Sequence, residues 1–199
     1  MKNLLRTITP LMLFLAAALT ATTTLQAQDL HPSRRPSPTG IARITLDDTY
    51  VKVVYSRPYK RGRDNIFGTE DSDALVPYGN VWRTGANEAT EITLTGALMV
   101  ADQLLPAGTY SVFTIPGPEE WTVHFNSALG LSGNGRFEDG EFTAVDLPAS
   151  EVLKVSAKSG STEEEVDQFT IAFEPIDDGA HLVLSWINTE VRVPIRPAG

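Results

Sequence analysis

Residues 108–126 read GTYSVFTIPGPEEWTVHFN, and this stretch decides the fold class. Trp121, Val123 and Phe125 occupy every other position in its second half. Successive side chains of a strand point to opposite faces of a sheet, so these three side chains share one face. A Pro-Gly-Pro segment, typical of turns, separates the two apolar runs. The stretch therefore predicts two half-buried β-strands of the kind found in antiparallel sheets.

The same alternation continues outward from this stretch in both directions. Two further apolar rows are Phe169, Ile171, Phe173 and Leu182, Leu184, Trp186. The predicted strands are Ile41–Leu46, Thr49–Ser56, Thr90–Leu94, Ala97–Ala101, Gly108–Ile115, Trp121–Asn126, Val152–Ala157, Gln168–Glu174 and His181–Ile195. About nine half-buried strands pack naturally as two sheets. The sequence thus predicts an all-β protein with one antiparallel β-sandwich or jelly-roll-like domain.

Three segments depart from the regular strand pattern. The strand predicted at 181–195 is long enough to be bent or broken. The acidic segment at 163–166 predicts either a short helical turn or a solvated loop. Asn134-Gly135 and Asp139-Gly140 are dipeptides typical of hairpin turns.

The N-terminus has the features of a secretory signal peptide. Lys2 and Arg6 precede an apolar run, Leu11–Leu19, and Ala27 ends a suitable cleavage site. The apolar run is well short of the roughly 20 residues that cross a bilayer as a helix. We therefore expect residues 1–27 to be a signal peptide. The protein is then periplasmic or extracellular and soluble after cleavage near Ala27, with no membrane span.

Composition defines the rest of the domain organisation. Residues 28–38, QDLHPSRRPSP, contain few apolar side chains and predict a flexible leader ahead of a domain at 39–197. The net charge of −9 disfavours nucleic acid as a partner. Cysteine is absent from the sequence, so an exported protein of this kind must be held together by its core.

The connection at 55–90, YSRPYKRGRDNIFGTEDSDALVPYGNVWRTGANEAT, holds the candidate binding residues. It contains four of the eleven arginines in an otherwise acidic chain. Long connections of this kind are where β proteins often keep their functional sites. The candidate ligand-binding residues are Arg57, Arg63, Trp82, Arg83, Asn87 and Glu88.

Two interpretations of these residues follow from strand parity. Arg57 and Glu88 continue the inward-facing rows of their strands, which predicts a buried or half-buried ion pair. In the structural interpretation, Arg57 or Arg83 clamps Glu88 and loop carbonyls. In the functional one, the arginines bind an anion or a sugar hydroxyl. Trp82 is then either a stacking wall for the ligand or a core residue.

Metal and cofactor signatures are weak. His31, His124 and His181 are not spaced as ligands on one strand or helix. His124 faces away from the Trp121 row and is predicted to be exposed. No phosphate-binding glycine loop follows a strand. We therefore predict no metal and no cofactor.

Catalytic signatures are also few. A cysteine nucleophile is excluded by composition, and no nucleophile-elbow motif is present. Paired carboxylates remain an alternative, because Glu88 or Glu91 together with Asp64 or Glu70 could flank a glycosidic bond.

Several phrases of the sequence match a known family. They are YSRP, GR…IFG, LVPYGNVWRTGANEAT, LPAGTYSVFTIPG, EWTVHFN, FTIAFEP and LSWINTEV. Over residues 37–195 the chain resembles the exported bacterial family called domain of unknown function 2911. The resemblance implies a β-sandwich-like domain behind a signal peptide, and it brings no established activity, ligand or catalytic residue. Residues 127–146 depart from the family pattern, so a ligand role for that loop would not transfer from relatives.

The leading hypothesis is an exported, noncatalytic domain that binds a small polar ligand, a glycan or an envelope partner. One alternative is a carboxylate-based hydrolase that acts on a glycan. Another is a structural or assembly protein with no small ligand, which would present an exposed sheet edge or apolar patch to another chain.

Overall fold

Strands dominate the computed structural model, which describes residues 34–199. The strands are β1 Thr39–Leu46, β2 Thr49–Ser56, β3 Phe67–Gly68, β4 Val76–Pro77, β5 Thr90–Leu94, β6 Leu98–Val100, β7 Gln103–Leu105, β8 Gly108–Ile115, β9 Glu120–Asn126, β10 Gly135–Glu138, β11 Glu141–Ala144, β12 Glu151–Ile176 and β13 Gly179–Pro197. A 3-10 helix, Glu70–Ser72, and a short α-helix, α1, Leu147–Ser150, complete the fold. Among the described residues, no helix combines the length and apolar character needed to cross a membrane. The predicted signal peptide and residues 28–33 lie outside the described residues.

Nine strands follow one another in the antiparallel order β1-β2-β5-β8-β9-β12-β13-β6-β7. The 26-residue β12 is shared by two parts of this order, β1-β2-β5-β8-β9-β12 and β12-β13-β6-β7. Its residues 151–158 pair with β9, and its residues 159–176 pair with β13. Side chains from the two parts meet in one core, where the Tyr55 and Phe169 rings lie 5.8 Å apart. The predicted all-β, antiparallel, sandwich-like fold is confirmed.

The acidic segment at 163–166 lies inside β12, so its prediction as a helical turn or loop was wrong. Pairing with β13 continues on both sides of this segment, with register shifts between Ser161 and Val166 and between Val166 and Thr170. On the partner strand, Ile187 has a φ of 49°. The bend expected within residues 181–195 is therefore an irregularity of a continuous β13 rather than an interruption.

The main core contains a cluster of large aromatic rings. Trp121 and Trp186 are fully buried, and the alternation that predicted the Trp121, Val123 and Phe125 row is confirmed. The Phe67 ring lies 4.9 Å from the Trp121 ring and 6.0 Å from the Trp186 ring, with edge-on geometry in both contacts. Each such ring contributes roughly 1.5–3 kcal/mol or more through burial alone.

A smaller apolar cluster lies on the opposite face of β8. Phe113 neighbours Val112 of the main core and therefore points to the other side of the sheet. It packs with Ala89, Leu131 and Leu147. These contacts fasten the connection after β9 across that face of the sheet, which brings residues 130–133 beside the start of β5.

Both hairpin turns predicted in this connection are confirmed. Asp139 and Gly140 join β10 to β11 with φ values of 51° and 85°, as a tight hairpin turn requires. Ser132 and Gly135 form the antiparallel bridge of the other turn, which is centred one residue earlier than Asn134-Gly135.

His124 faces away from the main core as predicted, but it is buried rather than exposed. Its side chain lies on the face covered by the connection after β9, and only 6% of the residue is accessible. Nδ1 lies 2.6 Å from a carboxylate oxygen of Glu151. The alternation gave the direction of the side chain correctly, whereas its burial depends on a distant part of the chain.

Candidate functional site

The predicted pair of Arg57 and Glu88 is not formed. Arg57 Nε donates a hydrogen bond to the carbonyl oxygen of Phe169 at 3.2 Å, and Nη2 donates to Thr170 Oγ1 at 2.9 Å. Arg57 therefore fastens the end of β2 to β12. The predicted clamp was on Glu88 and loop carbonyls, whereas the carbonyl that Arg57 holds belongs to a residue of β12.

Replacing Arg57 with methionine is expected to lower the free energy of unfolding by about 1–3 kcal/mol, because the Phe169 carbonyl and the Thr170 hydroxyl lose their donor. Urea denaturation measures the change. The control is Arg63→Met, because Arg63 is exposed and its Nη1 is 3.4 Å from the carbonyl of Lys60. We expect that control to change stability by no more than about 0.5 kcal/mol. Equal effects of the two substitutions would argue against the clamp.

Glu88 pairs instead with Arg35. Arg35 Nη1 lies 2.5 Å from Oε1 and 2.7 Å from Oε2 of Glu88. The Glu88 side chain is 58% exposed, against 19% for Arg35. Burial raises the pKa of the Glu88 carboxyl, but the hydrogen bond from Arg35, a hydrogen bond from the Glu88 backbone and the charge of Arg35 together outweigh it, and the resulting pKa lies below its ordinary value. Glu88 is therefore a carboxylate at neutral pH.

Strand parity failed at Glu88 because β5 begins only at Thr90. Asn87 has a φ of 58°, a left-handed conformation that turns the chain before the strand starts. The alternation of side chains does not continue through such a turn. Asn87 itself donates from Nδ2 to the carbonyl of Ser37 at 3.0 Å and to Ser56 Oγ at 3.1 Å.

The described part of the predicted leader, residues 34–38, is hydrogen-bonded to the domain. The carbonyl of Pro38 accepts from the Arg57 N–H at 2.9 Å, and that of Pro36 accepts from Arg61 Nη2 at 2.8 Å. With the bond from Asn87, three successive carbonyls are held. These contacts place Arg35 beside the start of β5.

Trp82 lies in the main core, and 7% of it is accessible. Its ring stacks on Trp186 with centroids 6.0 Å apart and planes at 15°, and its edge contact with Phe169 is 5.0 Å. Nε1 donates to the carbonyl of Gly85 at 3.0 Å. Of the two interpretations of Trp82, the core position is the one found, because its ring is covered by other rings.

Arg83 is half-buried and points away from Trp82. Its guanidinium forms no hydrogen bond or ion pair with any residue of the described chain, and its Nε is buried. Arg63 lies in an exposed turn with Lys60. The six candidate residues therefore do not converge on one site.

A concave surface, which we call the β5 depression, lies where the leader, the start of β5 and the connection after β9 meet. It has a volume of about 550 Å³. The residues that carry its chemistry are Arg35, Val54, Glu88, Glu91, Leu131 and Ser132. Of the sequence-predicted ligand residues, Glu88 lines it.

Backbone pairing holds the walls of the β5 depression together. The N–H of Ala89 donates to the carbonyl of Leu131 at 3.1 Å, and that of Gly133 donates to the carbonyl of Asn87 at 2.9 Å. The N–H of Gly130 donates to Glu91 Oε1 at 3.2 Å. One oxygen of Glu91 is thus used to fix the loop, and within the described chain Oε2 accepts no hydrogen bond.

The β5 depression combines two carboxylates and one guanidinium with an apolar floor. Ionised carboxylates only accept hydrogen bonds, so this surface suits ligand groups that donate, such as hydroxyl or ammonium groups. Val54, Ala89 and Leu131 supply apolar contact. The alternative hydrolase partners are placed elsewhere, since Asp64 is exposed beside Lys60 and Glu70 lies in the exposed 3-10 helix.

Sequence reasoning missed Arg35 and the Leu131–Ser132 wall. The signal for Arg35 was the Arg34-Arg35 doublet, which lies shortly before β1 begins at Thr39. The described residues place no group of three or more His, Asp or Glu side chains where they could hold a metal ion.

Fold and site together define an all-β, sandwich-like domain with a polar depression beside the start of β5. The chain belongs to the family described as Protein of unknown function (DUF2911), whose model matches residues 37–195. Searches of the curated proteins and of the solved structures found no match.

Proposed function

We propose that this chain is an exported, noncatalytic domain that binds a small polar ligand in the β5 depression. The observation that carries the proposal is that Arg35, Glu88 and Glu91 line one open concave surface over an apolar floor. Concave, partly apolar surfaces with a few convergent polar groups are typical of ligand sites.

The ligand class follows from the charges of the surface. Two carboxylates against one guanidinium favour a ligand that is neutral and rich in hydroxyls, or one that carries an ammonium group. A sugar suits both the apolar floor and the carboxylates, because its C–H face can cover Val54 and Leu131 while its hydroxyls donate to the carboxylates. The signal-like residues 1–27 support an envelope or extracellular location, where glycans are abundant.

The test is calorimetric titration of the purified protein with neutral oligosaccharides, amino sugars and cell-wall fragments. Glu91→Gln is expected to weaken the binding found in that panel about 10-fold or more, since a hydrogen bond to a charged group contributes roughly 1.5–3 kcal/mol. The control is Glu120→Gln, because Glu120 is exposed at the start of β9. Binding that Glu91→Gln leaves unchanged would place the ligand elsewhere.

A carboxylate hydrolase is the second candidate, favoured by the presence of Glu88 and Glu91 on the same surface. The lowered pKa of Glu88 suits a base or nucleophile, and Glu91 is the second carboxyl group that such a mechanism requires. Nitrophenyl glycosides provide the assay. Release of nitrophenol by wild type, lost in both Glu88→Gln and Glu91→Gln, would favour this candidate over simple binding.

A further inference from the structure

Arg83 carries a charge that no side chain of the described residues neutralises. The residue is half-buried, its Nε is fully buried, and no hydrogen bond or ion pair to its guanidinium is formed within residues 34–199. Burial lowers the pKa of the guanidinium below its ordinary value. An arginine still keeps its proton under such conditions, so a positive charge is held partly away from water.

The position of Arg83 is fixed by backbone hydrogen bonds to β8 and β5. Trp82 and Thr114 exchange two backbone hydrogen bonds, of 2.8 and 2.9 Å, and the N–H of Thr90 donates to the carbonyl of Arg83 at 3.2 Å. Because the Trp82 side chain enters the main core, the side chain of Arg83 leaves on the opposite face, where Phe113 lies. Backbone hydrogen bonds therefore hold Arg83 so that its guanidinium lies on the face of the sheet opposite the main core.

Gly133 lies beside the guanidinium. It has a φ of 75°, and a Cβ placed on it would lie 3.6 Å from Arg83 Nη1. The hydrogen bond from Gly133 to Asn87 fixes this turn against the connection that precedes β5. Nη1 of Arg83 thus lies beside a residue of the turn that has no side chain.

A partly desolvated charge is costly unless a partner compensates for it, and unpaired charges of this kind occur more often at functional sites. The other half-buried arginines, Arg35 and Arg57, both donate to oxygen atoms of the protein. Since Arg83 does not, we infer that it anchors a bound oxyanion, either a carboxylate or a phosphate, held by the planar guanidinium fork. Arg83 is not among the residues that line the β5 depression, and its ligand is an anion rather than a hydroxyl or ammonium group, so the inference goes beyond the proposed function.

Thermal unfolding in the presence of inorganic phosphate or succinate tests the inference, with sodium chloride at equal ionic strength as the reference. Saturating oxyanion is expected to raise the melting temperature of wild type by about 4 °C or more above the chloride reference. Arg83→Met is expected to abolish this rise, and without oxyanion it should melt at or above the wild-type temperature. The relative size of the phosphate and succinate effects identifies the preferred class.

Arg63→Met serves as the matched control, because it removes an exposed arginine of the same connection and should leave the oxyanion effect intact. Arg83→Lys keeps the positive charge but lacks the planar N–H donors of the guanidinium, so it should retain less than half of the rise in melting temperature. The inference is overturned if wild type shows no rise above chloride, if Arg83→Met responds as wild type does, or if Arg83→Met melts well below wild type without oxyanion.

Discussion

Replacing Trp82 with alanine is expected to destabilise the protein by about 3–5 kcal/mol, the largest loss we predict for one side chain. The ring is stacked on Trp186 and packed against Phe67 and Phe169, so its removal leaves a cavity among aromatic side chains. The carbonyl of Gly85 also loses its hydrogen-bond donor. Urea denaturation followed by far-ultraviolet circular dichroism gives the change in free energy.

Val81→Ala is the control for this experiment. Val81 precedes Trp82 in the chain but is 38% exposed, so its truncation should change stability by at most about 0.5 kcal/mol. If the free energy of unfolding of Trp82→Ala instead lies within about 1 kcal/mol of the wild-type value, the aromatic cluster does not stabilise this connection. That result would favour the interpretation of Trp82 as a stacking wall for a ligand.

The alternation of apolar residues was sufficient to predict the fold class, because it is a local property of a strand. Trp121, Val123 and Phe125 are buried as their spacing required, and Leu182, Leu184 and Trp186 behave in the same way. The same reasoning gave a wrong prediction, a helical turn or loop, for the acidic stretch Glu163–Glu165. Its composition favours turns, but backbone pairing with β13 on either side keeps it in β12 with its charges exposed.

The contacts of the candidate site were beyond the reach of sequence patterns. Arg35 and Glu88 lie 53 residues apart, and their pairing depends on the hydrogen bonds that hold residues 36–38 to the domain. The left-handed turn at Asn87 further changes the direction of Glu88. A parity argument extended through a turn therefore paired Glu88 with the wrong arginine, although it correctly anticipated that an arginine would neutralise it.

Arg57 and Trp82 show the opposite case, in which residue type suggested function and packing decided otherwise. Both stand out in a connection that is rich in arginine, yet Arg57 clamps a strand carbonyl and Trp82 fills the core. A long connection in a sandwich needs anchors, and large or multiply donating side chains provide them. Arg83 differs from both because no residue within 34–199 provides a partner for it.

Removing the hydroxyl of Tyr55 is expected to have the second-largest effect. That hydroxyl donates to the carbonyl of Ile171 at 3.1 Å and accepts from the N–H of Ile171 at 2.9 Å. Tyr55→Phe would leave both backbone groups unpaired in a buried position, at a cost of about 2–4 kcal/mol. Tyr50→Phe is the control, since Tyr50 is 36% exposed and its truncation should be near neutral.

The pH dependence separates the hydroxyl of Tyr55 from a general packing defect. Burial raises the pKa of Tyr55 above its ordinary value of 10.0, and the Ile171 hydrogen bond and the Arg57 charge offset only part of this rise. The folded protein thus holds the phenolic proton more tightly than the unfolded chain does. This contribution is fully present below about pH 10 and is lost as the pH rises through the folded-state pKa. The stability difference between wild type and Tyr55→Phe should therefore shrink above pH 10, and a constant difference up to pH 12 would contradict the proposed role of the hydroxyl.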